Sequence, residues 1–327
     1  MNLYIDKENT LSLVENARHE LYSDCIKTMK RQLDVYFNFS RSELFDNEIL
    51  TIWFTSNFTS GVGERKQSFN EEKFPPRPLK SNSYNSFSKE ELSAAYLIND
   101  DRFDSLAEKG ALLIGKPGEE IDVFRQLFLT NNDYKFDKKL KIGGANFRTW
   151  SDLENYSFGI TDILIIDNYI FSDSSLLEHN FFQLIKTLLV KTKCKVNIVV
   201  LTNTDKVAIS YGELSPKIRD AVQTITGVKP NFTLIKIRDQ RGVKSSSEHD
   251  RTIFTNYSRV YSGDTFNYFK PDGTILTKGR EIHISSFGDR ENHDVSMELI
   301  EDIQERLNDL PESIAEGDKK SNFLHFK

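Results

Sequence analysis

The sequence predicts an α/β protein: a mixed sheet flanked by helices, preceded by a smaller N-terminal domain that is α/β or α-rich. Three observations carry that expectation. From about residue 110 to 240, apolar strand-like segments alternate with amphipathic helical ones, the rhythm of strands joined by crossover helices. Two of those segments, Asp162–Ile170 and Val196–Leu201, are near-continuous apolar runs, as strands covered on both faces are. The 24 Phe among 327 residues offset an apolar content of only 38%, since each buried ring removes a large area from water. Composition shifts divide the chain into an N-terminal domain (1–105), a main domain (106–311) and a loose tail (312–327).

In chain order, residues 2–6 read as a first strand, and Asn9 or Thr10 caps one long helix. Its apolar positions Leu11, Val14, Leu21, Cys25, Met29 and Leu33 follow three- and four-residue steps. Ile49–Thr55, rich in β-branched and aromatic residues, predicts a strand, and residues 57–88, with Pro75, Pro76 and Pro78, a long polar loop. Ser88 with Glu91 forms a capping-box signature ahead of a helix over Leu92–Ile98. Ala111–Ile114 then predicts a strand and Glu119–Leu129 an amphipathic helix.

The Asp162–Ile170 strand follows, interrupted by Asp167, and Ser174 or Ser175 caps a helix carrying Leu177, Phe181, Leu184 and Leu188 on one face. After the Val196–Leu201 strand, Pro216 marks a first helical turn, and Phe232–Ile237 alternates as a strand does. A hairpin turning near Tyr257-Ser258, a strand over Glu281–Ser285 and a helix from Asp294 to Leu310, stopped by Pro311, complete the main domain.

A net charge of −6 means that the field of the whole protein does not attract polyanions, so any nucleic-acid contact must come from a local basic patch. Cys25 and Cys194 stand in unrelated contexts without metal-ligand spacing, which argues for a reducing compartment and against a zinc site. The first residues lack the basic and apolar regions of a secretory leader, and no apolar run approaches the ~20 residues of a membrane span. We therefore expect a cytoplasmic protein without a transmembrane segment. No cofactor or metal motif stands out. The stretch Gly110 to Gly118 lacks a phosphate loop's hydroxyl, having Pro117 in its place.

The chemistry concentrates at residues 249–269. His249 and Arg251, two apart at the mouth of an alternating segment, project to one side of a strand. An imidazole and a guanidinium on one face can hold a phosphate. The preceding loop adds Lys236, Arg238, Arg241 and Lys244, either an electropositive lip or an ordinary solvated loop. Asp167, at the end of a buried strand, lies where open α/β sheets place ligand-contacting residues; it can equally cap a turn.

His249, Arg251 and Asn256 occupy the three positions of a His-x-Lys-x4-Asp pattern. In this, residues 110–285 resemble phospholipase D-like proteins. The run His-Asp-Arg-x-Ile, followed by a hairpin and by Gly263, Phe266 and Phe269 in a Gly-x-x-Phe-x-x-Phe spacing, is most similar to the phospholipase D-like C-terminal domain of MIT-domain proteins. The resemblance implies a phospholipase D-like mixed sheet, with His249 as nucleophile and Arg251 as phosphate grip; Arg241 and Lys244 of the loop and Asp167 at its strand end are the candidate ligand contacts.

The departures bear on mechanism. Arg251 keeps the charge of the family lysine but is planar and bulkier, and Asn256 removes the carboxylate. A nucleophilic histidine also needs a second histidine as general acid, and the one other His-x-Lys is His325-Phe326-Lys327, with no room for the acid. The chain is thus expected to be a catalytically impaired module that binds a phosphate-bearing ligand, nucleic acid before lipid, or that serves as a dimerising subunit of a larger complex. The alternative is an active homodimeric phosphodiesterase or nuclease using His249 of each subunit. A weaker reading places a nuclease at Asp6, which ends a first strand and resembles the first metal-binding aspartate of NYN and PIN-like nucleases. Asp100, Asp101 and Asp104 would have to supply further carboxylates, and no apolar strand is read before them.

Overall fold

The computed structural model describes residues 1–58, 67–69, 93–99, 103–108, 110, 113–127, 137–237 and 251–326. They form two compact units, Met1–Phe136 with Phe287–Glu291, and Asp137–Ser286 with Asn292–Lys327. The first unit extends well beyond residue 105, because the strand and helix expected to open the main domain complete its sheet instead.

The first unit contains β1 (Asn2–Ile5), α1 (Lys7–Glu15), α2 (Glu20–Gln32), β2 (Asp34–Phe37), α3 (Arg41–Phe45) and α4 (Glu48–Phe58). There follow β3 (Gln67–Phe69), β4 (Ala95–Leu97), α5 (Phe103–Glu108), β5 (Leu113–Gly115) and α6 (Glu120–Leu127). All five strands run parallel in the order β3-β2-β1-β4-β5. The chain moves outward from β1 to β3, then crosses to the other side of β1, so the order reverses between β1 and β4. Register places Tyr36, Tyr4 and Tyr96 in one row, where their rings stack at 5.1 Å on either side of Tyr4. On the opposite face Phe37 stacks on Phe69 at 5.0 Å, with Phe54 and Phe58 of α4 against it.

Several expectations change here. The long first helix is two, and its cap is Asp6, whose carboxylate accepts the Asn9 N–H at 2.9 Å. Ile49–Thr55 is helical: Asn47 accepts the Leu50 N–H at 3.0 Å, and the three-residue step from Leu50 to Trp53 buries both side chains. Burial on a 3.6-residue period overrides β-propensity at this point. Ala95–Leu97 is a buried strand instead of a helix, and Gln67–Phe69 places a strand inside the expected polar loop. The remainder of that loop beyond Phe58, with Ser88 and Glu91, lies outside the described residues. β2 was not anticipated.

The second unit holds β6 (Asp137–Lys141), β7 (Asp162–Ile166), α7 (Phe181–Leu189), β8 (Asn197–Asn203), α8 (Tyr211–Thr226) and β9 (Asn231–Ile237). Next come β10 (Arg251–Thr255), β11 (Ser258–Ser262), β12 (Glu281–Ser286), α9 (Arg290–Asn308), which begins in the first unit, and β13 (Ala315–Gly317). The sheet order is β13-β9-β8-β7-β10-β11-β12-β6, with β7, β8 and β9 parallel and every other pairing antiparallel. This is the mixed α/β sheet that the apolar runs predicted. α8 starts earlier than Pro216 suggested, because Ser210 and Glu213 form a capping box ahead of it. The Gly263–Phe269 segment is fixed by Asn180, which accepts the Phe269 N–H at 2.9 Å and donates to the Phe269 carbonyl at 2.7 Å.

The tail is not loose. β13 pairs with β9, Asp318 forms a 2.7 Å ion pair with Arg219, and the Asn322 N–H donates to buried Asp162 at 2.8 Å. Phe323 and Leu324 are buried. Polar composition concealed this, because the tail docks through hydrogen bonds more than through apolar periodicity.

Gly317 fixes its course: its φ is +117°, and a Cβ there would stand 2.2 Å from the Phe232 carbonyl oxygen. Gly317→Ala is therefore expected to lower the unfolding free energy by about 1–3 kcal/mol in urea titrations. A variant as stable as wild type would mean that the tail does not hold this path.

Candidate functional site

The second unit's cleft lies where three parallel strands end. β7, β8 and β9 finish at Ile166, Asn203 and Ile237, and β10, antiparallel to β7, begins beside them with Arg251. A small open cleft is lined by Ile166, Asp167, Asn168, Asn203, Ile237 and Arg251, with Leu201. It sits outside the carboxyl ends of the parallel strands, at the point where the chain doubles back past β7.

Asp167 organises one wall. It is 1% exposed, and its Oδ1 accepts the Tyr169 N–H at 2.8 Å. Its Oδ2 accepts the Thr265 hydroxyl at 2.7 Å and the Phe266 N–H at 2.8 Å. Burial pushes its pKa up, while these hydrogen bonds and the Arg251 charge pull it down. Of the two roles open to Asp167, turn cap and ligand contact, the structure fills the first, on the edge of the cleft.

Tyr169, next along this wall, has its backbone held and is 38% exposed. The Arg251 guanidinium lies 5.6 Å from the ring centroid and the Lys206 ammonium 5.9 Å. Lys206 owes its place to Asn203, which accepts the Asp205 N–H at 2.8 Å and so starts a 3₁₀ turn over Thr204–Lys206. The result is an aromatic ring with two cations close to it, beside the cleft.

The structure brings Arg251 and Asp167 together and takes Asn256 away. Asn256 sits at the other end of β10, about 16 Å from Arg251 at ~3.3 Å per residue. It is buried there, accepting the Thr161 N–H at 3.0 Å. Lys236, counted with the electropositive lip, pairs with Glu316 of β13. His249, Arg241, Lys244 and Arg238 lie outside the described residues. Sequence reasoning missed Asn203, Lys206 and the ring of Tyr169. The available signal was two clusters of turn-forming residues, Asp167-Asn168-Tyr169 and Asn203-Thr204-Asp205-Lys206, each ending an apolar strand.

The first unit carries a second polar locus at its order reversal. Asp6 ends β1; its Oδ1 accepts the N–H and, at 2.8 Å, the Nδ2 of Asn9, and its Oδ2 accepts the N–H of Asn99, just after β4. Glu120, fully buried at the start of α6, accepts the Gly118 N–H at 2.9 Å. Burial raises its pKa, hydrogen bonds including one from Ser12 lower it, and the charge of Asp6 raises it further. Among the described residues, Glu120 Oε1 and Asn9 Oδ1 are buried without a hydrogen-bond partner. Asp100 and Asp101 lie outside the described residues, but the strand before them, absent from the sequence reading, is β4. Among the described residues, no three His, Cys, Asp or Glu are grouped so as to hold a metal ion.

No family model matches this chain, and no curated protein is similar to it. Among the described residues, no helix is long and apolar enough to cross a membrane.

The Asp167–Arg251 pairing predicts a pH signature. Removing Arg251 raises the folded pKa of Asp167 further above the unfolded value of ~3.9, so the carboxylate becomes costlier wherever it is ionised. The stability loss in Arg251→Ala should be smallest near pH 4 and grow as pH rises, by about 1–3 kcal/mol at pH 7, read from urea unfolding at each pH. A loss independent of pH would mean that the guanidinium does not act on this carboxylate.

Proposed function

We propose that the second unit is a catalytically impaired phospholipase D-like module that binds a phosphate-bearing ligand, nucleic acid in preference to lipid, through Arg251. The observation that carries this reading is the placement of Arg251 on an open cleft at the ends of three parallel strands, beside a buried carboxylate that is already satisfied. A guanidinium has five donors in a planar fork, enough to remain near Asp167 and still grip a phosphate. The Asn168 and Asn203 amides on the same cleft suit sugar and base edges better than acyl chains. Impairment follows from Asn256, which lacks a carboxylate and bonds a backbone amide away from the cleft.

Fluorescence anisotropy with a labelled 12-nucleotide RNA, beside co-sedimentation with phosphatidylserine vesicles, tests the proposal. Arg251→Ala should weaken RNA binding about tenfold or more, with vesicle binding the weaker of the two throughout. Equal RNA affinity in wild type and variant would remove the reading. Metal-independent cleavage of the RNA that disappears in His249→Ala would replace it with the homodimeric enzyme.

A second reading is favoured by the first unit. Buried acceptors left without donors beside Asp6, at the reversal point of a parallel sheet, are the groups a hard divalent cation takes. On this reading the first unit hydrolyses phosphodiesters with metal assistance, and Glu120 and the Asn9 amide contribute oxygen ligands beside Asp6. Cleavage of the same RNA should then require Mg²⁺ or Mn²⁺ and fall about a hundredfold in Glu120→Gln, with folding checked by circular dichroism. Activity indifferent to chelator would exclude it.

A further inference from the structure

We infer that the ring of Tyr169 is a stacking platform for an unpaired base, so that the ligand gripped by Arg251 is a single-stranded polynucleotide. This deepens, and rests on, the reading of the Arg251 cleft as a phosphate site.

The backbone of Tyr169 is held by its neighbours. Its N–H donates to Asp167 at 2.8 Å, and its carbonyl accepts from the Ser172 hydroxyl at 2.7 Å and from the Asn267 Nδ2 at 3.0 Å. Asp167 and Asn267 are themselves buried, so the residue presenting the ring is as fixed as the core. None of these bonds uses the ring, and the residue is 38% exposed. A large aromatic group beside the cleft, immobilised at its backbone and partly exposed, has already lost the freedom that binding would otherwise remove.

Its flanking charges narrow the ligand class. Arg251 and Lys206 each lie within 6 Å of the same ring centroid, so two cations stand close to the ring. An unpaired base laid on that ring keeps its own phosphates close to both cations, the combination by which single strands are held without sequence preference. A duplex keeps its bases stacked within the helix and offers the ring no face; a free phosphate or a lipid headgroup uses the cations and leaves the ring idle.

The test compares a labelled 12-nucleotide RNA with an abasic sugar-phosphate oligomer of equal length, by anisotropy at fixed salt. Wild type should bind the base-bearing strand about tenfold more tightly than the abasic one. Tyr169→Ala should bring that ratio close to one, and Tyr169→Phe should preserve it, since stacking needs the ring and not the hydroxyl. A ratio near one in wild type, or an undiminished ratio in Tyr169→Ala, overturns the inference while an Arg251-dependent affinity for both strands keeps the phosphate site. Affinities that Arg251→Ala leaves unchanged for both strands overturn the phosphate site together with the inference.

Discussion

The buried carboxylate of Asp167 is the constraint around which the second unit's cleft is built. A charge at 1% exposure costs several kcal/mol unless its lone pairs are met. Three donors meet them here: two backbone amides and a hydroxyl, drawn from the turn after β7 and from the loop after β11. Charge-assisted hydrogen bonds are worth roughly 1.5–3 kcal/mol each and offset part of this cost, burial still leaving the pKa of Asp167 raised. The consequence is structural: two segments distant in sequence are tied to the same strand end. The lip that carries Tyr169 is therefore continuous with the core. Arg251 adds a favourable charge to this arrangement.

Asp6 meets the same constraint in the first unit. Its oxygens accept three N–H groups and join the ends of β1 and β4 across the order reversal. Glu120 does not follow the pattern, since one oxygen is buried without a donor. A carboxylate with every donor supplied is a structural part. One with an acceptor left over, close to a second carboxylate, holds unspent capacity for a proton or a cation. The two units therefore differ in what their buried acids leave available: a cation's grip in the second, an oxygen's in the first.

What could be read from the sequence follows from how each segment is buried. β7, β8 and β9 were legible because strands covered on both faces leave continuous apolar runs. β2, β3 and β4 were not, being three or four residues long, too short for a period to show. In β4 the residues Ala-Tyr-Leu favour a helix as readily as a strand, and only pairing with β1 and β5 decides. Ile49–Thr55 failed the other way, its β-branched residues yielding to a helical face packed on Phe37. In the site, Arg251 and Asp167 were visible as charges at the ends of apolar strands. Tyr169 and Lys206 were not, because two separate turns bring them together.

Asn256 shows the limit of spacing as a guide to chemistry. Five residues after Arg251 it completes a familiar pattern, yet an extended strand carries it to the far end of β10, where it secures the Thr161 amide. A nucleophilic imidazole in the cleft would need a carboxylate to orient it and to stabilise its charge. The carboxylate beside Arg251 is that of Asp167, with both oxygens already accepting hydrogen bonds that the wall depends on. Diverting it toward an imidazole would release the Tyr169 turn or the Thr265 loop, and with either the shape of the cleft. The hydrogen bonds that commit Asp167 to the wall thus work against a phosphodiesterase at the same place, which is why we propose binding for it.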